Sequence, residues 1–423
     1  MNRLPSLFAA AAVAALATAA AVPAHATDGY FMSGYGAQSK GLAGAGLAYP
    51  KDSLALATNP AAATALGDRW DVGVDVFTPK REAAYRGTAL DSSYSGDDKK
   101  TAFIPEAGYV RQLNDRLAVG LVAYGNGGMV TAYRDNPFAR FGASGTAGVE
   151  LQQLFISPTM AYKLTPTQSV GLSVNLAGQT FRARGLQPFA GFSQDPAHFT
   201  NNGVDTEYGA GVRLGYLGQL TDRLSAAAFW QSKTAFHEFK KYRGLFAERG
   251  GFDAPSTYGV GLAFKATPQL DLVADWRRIE LSKVKSVGTS LAPLFAGVPF
   301  GADNGPGFGW RDVDVWKVGA NYRINDAWQV RAGYDHAKNP VPSSQTLLNI
   351  VAPAVVTDQY AAGATWSQLS GTRPSGLEVT GYVQYSPKQT VRGSGSIPAN
   401  FGGGNVDLSM SETIFGLAVG WKH

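Results

Sequence analysis

The sequence predicts an all-β membrane protein, a 14-stranded antiparallel transmembrane β-barrel with an N-terminal plug, or hatch, inside its lumen. Three observations carry this. Runs in which bulky apolar residues alternate with small or polar ones recur from residue 69 to the end, the period-2 pattern of strands with one greasy face. The links between those runs are alternately short and long, as in outer-membrane barrels with tight periplasmic turns and long outer loops. The last run, Ser411 to His423, sets Phe415, Leu417, Val419 and Trp421 against Ile414, Gly416, Ala418 and Gly420. A strand with an exposed apolar face and a small inner face closes a sheet, leaving no open edge.

The chain begins with Arg3, an apolar core from Leu7 to Val22, and Ala24-His25-Ala26. That is a secretory signal peptide over residues 1–26, too short to serve as an anchor. Beyond it no apolar run approaches the ~18 residues of a spanning helix, so a membrane reading must rest on strands. There are no cysteines, which excludes disulfides and thiolate metal sites. The net charge of +5 is scattered, and no basic run points to nucleic acid.

Residues 27–68 are rich in glycine and alanine, low in charge, and show no sustained alternation. An apolar segment of this kind packs inside something rather than forming a disordered tail. Helical spacing runs from Leu54 to Ala65 and is broken at Asn59-Pro60.

Residues 69–423 form the barrel. Trp70, Val72, Val74 and Val76 open it. Similar runs follow around Leu117–Tyr124, Val170–Leu176, Tyr208–Tyr216, Tyr258–Phe264, Leu270–Trp276, Trp316–Ile324, Trp328–Tyr334 and Leu377–Tyr385. Less regular runs lie at 101–113, 148–164, 224–235 and 359–369, and with the last strand the total is fourteen. Tight turns such as Asn114-Asp115-Arg116 and Thr221-Asp222-Arg223 alternate with long links, for example 185–205 and 236–256. A soluble sandwich would not collect so many aromatics at strand ends, and no blade repeat supports a propeller.

By parity the inner wall carries charges of both signs, including Asp75, Arg213, Asp275, Lys317 and Asp335. That composition fits a network of paired charges better than an ion filter. Two outer loops are apolar. One holds Phe189, Phe192 and Phe199; the other holds Phe236, Phe239, Tyr242 and Phe246, at the spacing of one face of a short helix. Rings in outer loops either receive an apolar ligand or pack on one another. No nucleophile elbow, zinc-binding His pair or P-loop occurs, so the chain is not read as an enzyme, and no metal or cofactor is expected.

Several motifs resemble the long-chain fatty acid transporter family of outer membranes, the FadL/TodX group. They are Gly34 to Gly46 followed by Asn59-Pro60-Ala61, then Pro255 to Leu262, then Asp314 to Gly319 with Trp328 to Tyr334 and Asn339-Pro340-Val341-Pro342. The resemblance implies a hatch carrying Asn59, Pro60 and Ala61, and passive uptake of hydrophobic molecules with lateral release into the bilayer. The gap would lie at a kinked third strand, here Gly125, Asn126, Gly127 and Gly128. Long-chain fatty acids are the expected substrate; the alternatives are monoaromatic hydrocarbons, or a sealed structural or adhesive barrel. For a carboxylate, Arg182 and Arg184 match the family's basic anchor only if a bulge turns them inward, whereas Arg213 and Lys317 face the lumen by parity. Expected partners are the hydrophobic ligand, outer-membrane lipid and lipopolysaccharide, around a monomer in the outer membrane of a Gram-negative bacterium.

Overall fold

A computed structural model of the protein describes residues 28–88, 91–99, 101–369 and 375–423. The signal-peptide segment lies outside them. Fourteen long strands make the wall: β1 (Arg69–Arg86), β2 (Ala102–Gln112), β3 (Leu117–Val130), β4 (Gly148–Thr165), β5 (Gln168–Arg184), β6 (Asp205–Gln219) and β7 (Leu224–Gln231), then β8 (Thr257–Lys265), β9 (Leu270–Ile279), β10 (Val313–Arg323), β11 (Trp328–Ala337), β12 (Asp358–Ser367), β13 (Gly376–Val391) and β14 (Asn405–Lys422). Each pairs antiparallel with its sequence neighbours, and β14 returns to β1. That last seam runs from Arg69↔Lys422 to Arg86↔Asn405 without a register shift. Closure at this seam leaves neither β1 nor β14 as a free edge.

Alternation decides which side chains meet lipid. Val170, Leu172, Val174 and Leu176 of β5 point outward and are exposed, as do Val260 and Leu262 of β8 and Phe415 and Leu417 of β14. Between them Ser169, Ser173 and Asn175 face inward and are buried. An apolar band of this extent is a surface for hydrocarbon, not water. The short turns share one end of the barrel with the start of β1 and the end of β14, and the long links, 131–147, 185–204, 232–256, 280–312 and 338–357 among them, share the other.

Two further short strands lie in the outer loops. Ser92–Ser95 extends the sheet beside upper β1, and Ala235–Phe236 pairs with β6 through Gly209↔Phe236. The second corrects the helix expected over residues 236–246. Phe236 is drawn into the sheet, Lys240–Tyr242 forms one 3-10 turn, and Glu248 and Arg249 take positive φ values of 55°. The rings still converge, but from three separate turns.

Residues 28–67 pack against inward-facing wall residues. The segment consists of short turns: Ala37–Lys40, Ser53–Ala57, Pro60–Ala62 and Ala63–Leu66. The break at Asn59 is a helix start. Its side chain accepts from Ala61 N (3.1 Å) and donates to the carbonyl of Tyr216 on β6 (3.0 Å). Asparagine supplies the cap and proline fits the first helical position. The turn approaches the wall so closely that a Cβ at Gly171 or Gly215 would run into Pro60 or Asn59.

Candidate functional site

Three parts of the structure stand out: the anchoring of the N-terminal segment, the third strand, and the aromatic cap.

Buried ion pairs fasten the segment. Lys40 Nζ lies 2.5 Å from Asp75 of β1 and 2.7 Å from Glu106 of β2, all almost fully buried. Lys317 Nζ of β10 reaches Asp28 (3.1 Å), Asp335 (2.7 Å) and the carbonyl of Ser33 (2.6 Å), and Arg277 also pairs with Asp28. Asp275 accepts from the backbone of Gly46 and Leu47. In a low-dielectric lumen such contacts fix position more than they add net stability.

The carboxyl of Asp52 accepts from Leu54 N and Gln38 N, and burial, assisted by the charge of Asp71, pushes its pKa up to about 7. Undocked, Asp52 loses its proton near its ordinary value of 3.8; docked, it holds the proton until about 7. The docked state therefore binds more protons across that window, and docking weakens as pH rises through it. Hydrogen exchange at Gln38 and Leu54, corrected for intrinsic rate, should speed up from pH 5 to 8, and Asp52→Asn should flatten the trend.

The third strand is kinked where the glycines predict. Gly125 pairs with Leu154 and Gly127 with Gln153, so Asn126 is an extra residue, and inward parity switches from Tyr124 to Gly127 across it. Bulges bend the strand that carries them. The ladder to β2 stops at Ala107↔Ala123, so Tyr124–Val130 has no partner in β2. The N-terminal segment takes its place. Phe31 bridges Gly127, Gly128 N donates to Tyr30 O (2.9 Å) and Met32 N to Asn126 O (3.3 Å). A side chain at Gly127 would strike the Tyr30 carbonyl. The wall thus has a window between β2 and β3, covered by Tyr30–Met32.

Above it the outer loops form an aromatic cap. Phe181 of β5 packs on Tyr242 (4.8 Å between ring centres) and Phe246 (4.6 Å), Phe246 on Phe252 (4.9 Å), and Phe138 on Phe189 (5.1 Å). These rings enclose a cavity of about 50 Å³ lined by Phe138, Phe181, Phe189, Phe199, Phe246 and Phe300, with Ser286 its polar group. An apolar cavity that takes up benzene measures about 150 Å³, so a ligand must part the rings. A second cavity of about 30 Å³ lies against β3 beyond the bulge, lined by Gly29, Arg81, Gly128, Met129, Trp310 and Met410 among others.

The expected residues distribute unevenly over this frame. Phe189 and Phe246 line the cap cavity and Phe239 lies in the same cluster. Phe192 is 41% exposed, and Phe236 belongs to the lower cluster around the N-terminal segment. Arg182 and Arg184 keep outward parity, no bulge turns them, and both pair with Glu150. Arg213 is buried with its donors on Gln231, Leu56 O and Tyr124 Oη. Arg213 and Lys317 therefore hold protein oxygens, and either would have to exchange one for a ligand carboxylate. Arg81 escaped the sequence reading because the alternation of β1 fades after Val76. It is buried and inward, donates to Asp97 (3.3 Å) and Lys99 O (2.6 Å), and leaves Nη1 without a partner beside the second cavity.

A family model described as outer membrane protein transport protein (OMPP1/FadL/TodX) matches residues 10–372. The long-chain fatty acid transport protein of Escherichia coli (strain K12) is 23% identical over 299 residues, which is 59% of this chain and 64% of that protein. The alignment thus spans just under two thirds of that relative. Among solved structures, the Pseudomonas putida toluene transporter TodX superposes with a TM-score of 0.68 at 19% identity, covering 92% of this chain and 99% of that one. A Pseudomonas aeruginosa FadL homologue gives 0.67 at 17%, covering 93% and 99%. At these identities the likeness establishes the barrel fold.

Proposed function

The chain belongs to the OMPP1/FadL/TodX family of outer membrane transport proteins, and from that premise we propose that it is a passive channel for hydrophobic molecules, with long-chain fatty acids its substrate. An apolar molecule enters between the cap rings, descends to the cavity beside β3, and leaves sideways between β2 and β3 once Tyr30–Met32 withdraws. The N-terminal segment acts as the hatch. Partition into lipid drives the step, at about 0.8 kcal/mol per buried methylene, with no nucleotide or ion coupling.

The observation that favours a fatty acid is Arg81. An unpaired guanidinium N–H beside an otherwise largely apolar cavity at the window suits an amphiphile with a carboxylate head. A neutral aromatic hydrocarbon offers that N–H no oxygen to accept it. The second reading, monoaromatic hydrocarbons, draws on the cap cavity, whose lining is almost wholly apolar.

Uptake of labelled oleate and labelled toluene by cells with and without the protein tests both readings. Oleate uptake should require the protein; equal uptake of both compounds in both strains would leave a sealed structural barrel. Arg81→Met should raise the half-saturation concentration for oleate roughly tenfold, a loss of about 1.4 kcal/mol, and leave toluene unaffected. Phe246→Ala removes one of the rings that a ligand must part and should ease entry of both ligands by a similar factor, about tenfold, read from the concentration dependence of initial uptake.

A further inference from the structure

We propose that Gln153 and Gln179 form an amide relay that latches the window closed and releases it when the cap receives a ligand. This rests on the reading above, in which ligands enter at the cap and leave beside β3.

The relay starts at the bulge. Tyr35 Oη donates to both the carbonyl and the side-chain oxygen of Asn126 (3.1 Å each). Asn126 Nδ2 donates to Gln153 Oε1 (3.0 Å), Gln153 Nε2 to Gln179 Oε1 (3.2 Å), and Gln179 Nε2 to the backbone carbonyl of Phe252 (3.0 Å). Asn126, Gln153 and Gln179 are each no more than 2% exposed. The Phe252 end sets the direction of every amide. A carbonyl only accepts, so Gln179 must present its N–H there and its oxygen to Gln153, and each amide down the row follows, so none can flip without losing a bond. Aligned amides in a low-dielectric interior also polarise one another.

Geometry places the row where it can connect the two sites. Gly127↔Gln153 and Gln153↔Gln179 are register neighbours, so the row crosses β3, β4 and β5 at one level, along the inner wall. At its far end the ring of Phe252 touches both Phe246, which lines the cap cavity, and Tyr30, which covers the window. At its near end the Asn126 carbonyl holds Met32 N. The cap cavity is too small for a ligand in this conformation, so entry displaces Phe246 and, through it, Phe252. Moving the Phe252 carbonyl breaks the bond to Gln179, and the bulge loses a restraint just as Tyr30 loses its neighbour. Gln153 and Gln179 touch no ligand; they are positioning residues for the exit.

Hydrogen exchange tests this on the full-length protein in nanodiscs, reading the amides of Met32 and Gly128 with and without hexadecane, a ligand lacking any head group. In the wild type, hexadecane should speed their exchange about tenfold. In Gln153→Leu both amides should exchange fast already without hexadecane and gain nothing from it, while the half-saturation for oleate uptake stays within about twofold. Gln179→Leu, one strand further from the window, should behave alike and carries the test if the first variant does not assemble. A wild type whose Met32 and Gly128 ignore hexadecane, or variants that keep its full effect, would overturn the relay. Loss of oleate uptake by the wild type would instead overturn the transport reading.

Discussion

Deleting Asn126 is expected to lower uptake of hydrophobic substrate by roughly tenfold or more, since the proposed exit at the window would close and become the slow step, while the barrel still assembles. The reason lies in the ladder. Asn126 is the residue by which β3 exceeds β4 between Gly125↔Leu154 and Gly127↔Gln153. Without it the two strands run in register, the bend disappears, and Tyr124–Val130 can approach β2 along the edge that Tyr30–Met32 now occupies. Ala102–Glu106 of β2, which has no partner in β3, would be the natural neighbour. The deletion removes no apolar core residue and no ion pair. Heat-modifiable migration of the folded barrel on gels should therefore persist. Uptake unchanged in a correctly assembled deletion variant would mean that the window is not the exit.

The barrel was legible because strand periodicity is local. Each outward row, such as Val170 to Leu176, can be read from four or five residues, and the alternation of short and long links needs only their lengths. The glycines of β3 signalled a weakened ladder, but only the pairing with β4 identifies Asn126 as the additional residue. The closing strand shows the limit well. Of its small inner face, Ala418 packs with the cluster around the N-terminal segment. A Cβ at Gly416 or Gly420 would instead meet Tyr382 or Asp71, side chains of the adjoining strands. Room on a wall can be claimed by the wall itself, and parity does not say by whom.

The loop after β7 departs from the expected helix for a related reason. Spacing of 236, 239, 242 and 246 fits a helical face, yet pairing of Ala235–Phe236 with β6 outcompetes it. A long-range ladder is invisible to a local period. Arg81 was missed where alternation fails, and the Asn126–Gln153–Gln179 row was missed because its members are 26 or 27 residues apart in sequence. Buried polar groups join through the fold, so their partners cannot be read from neighbours in the chain.

Lys40 is a second such case, and its replacement should have the largest effect on the plugged state. The ammonium sits between Asp75 and Glu106, which lie on β1 and β2. Lys40→Met keeps most of the side-chain length but leaves two carboxylates buried and facing each other. Removing one partner from a buried ion pair costs about 3–5 kcal/mol, and here the loss falls on the docked segment alone, because undocking lets water reach both acids. The wall should stand, held by the unbroken β1–β14 seam and its lipid-facing band. The segment should leave the lumen for part of the time. Single-channel recordings in planar bilayers read this directly: the wild type should show little conductance, and Lys40→Met should show frequent large openings to small ions. Lys40→Arg restores a cation between the acids and should suppress them. If Lys40→Met stays as closed as the wild type, the remaining anchors at Asp28, Asn59 and Asp275 hold the segment without it, and the pairs of Lys40 only neutralise the wall's own acids.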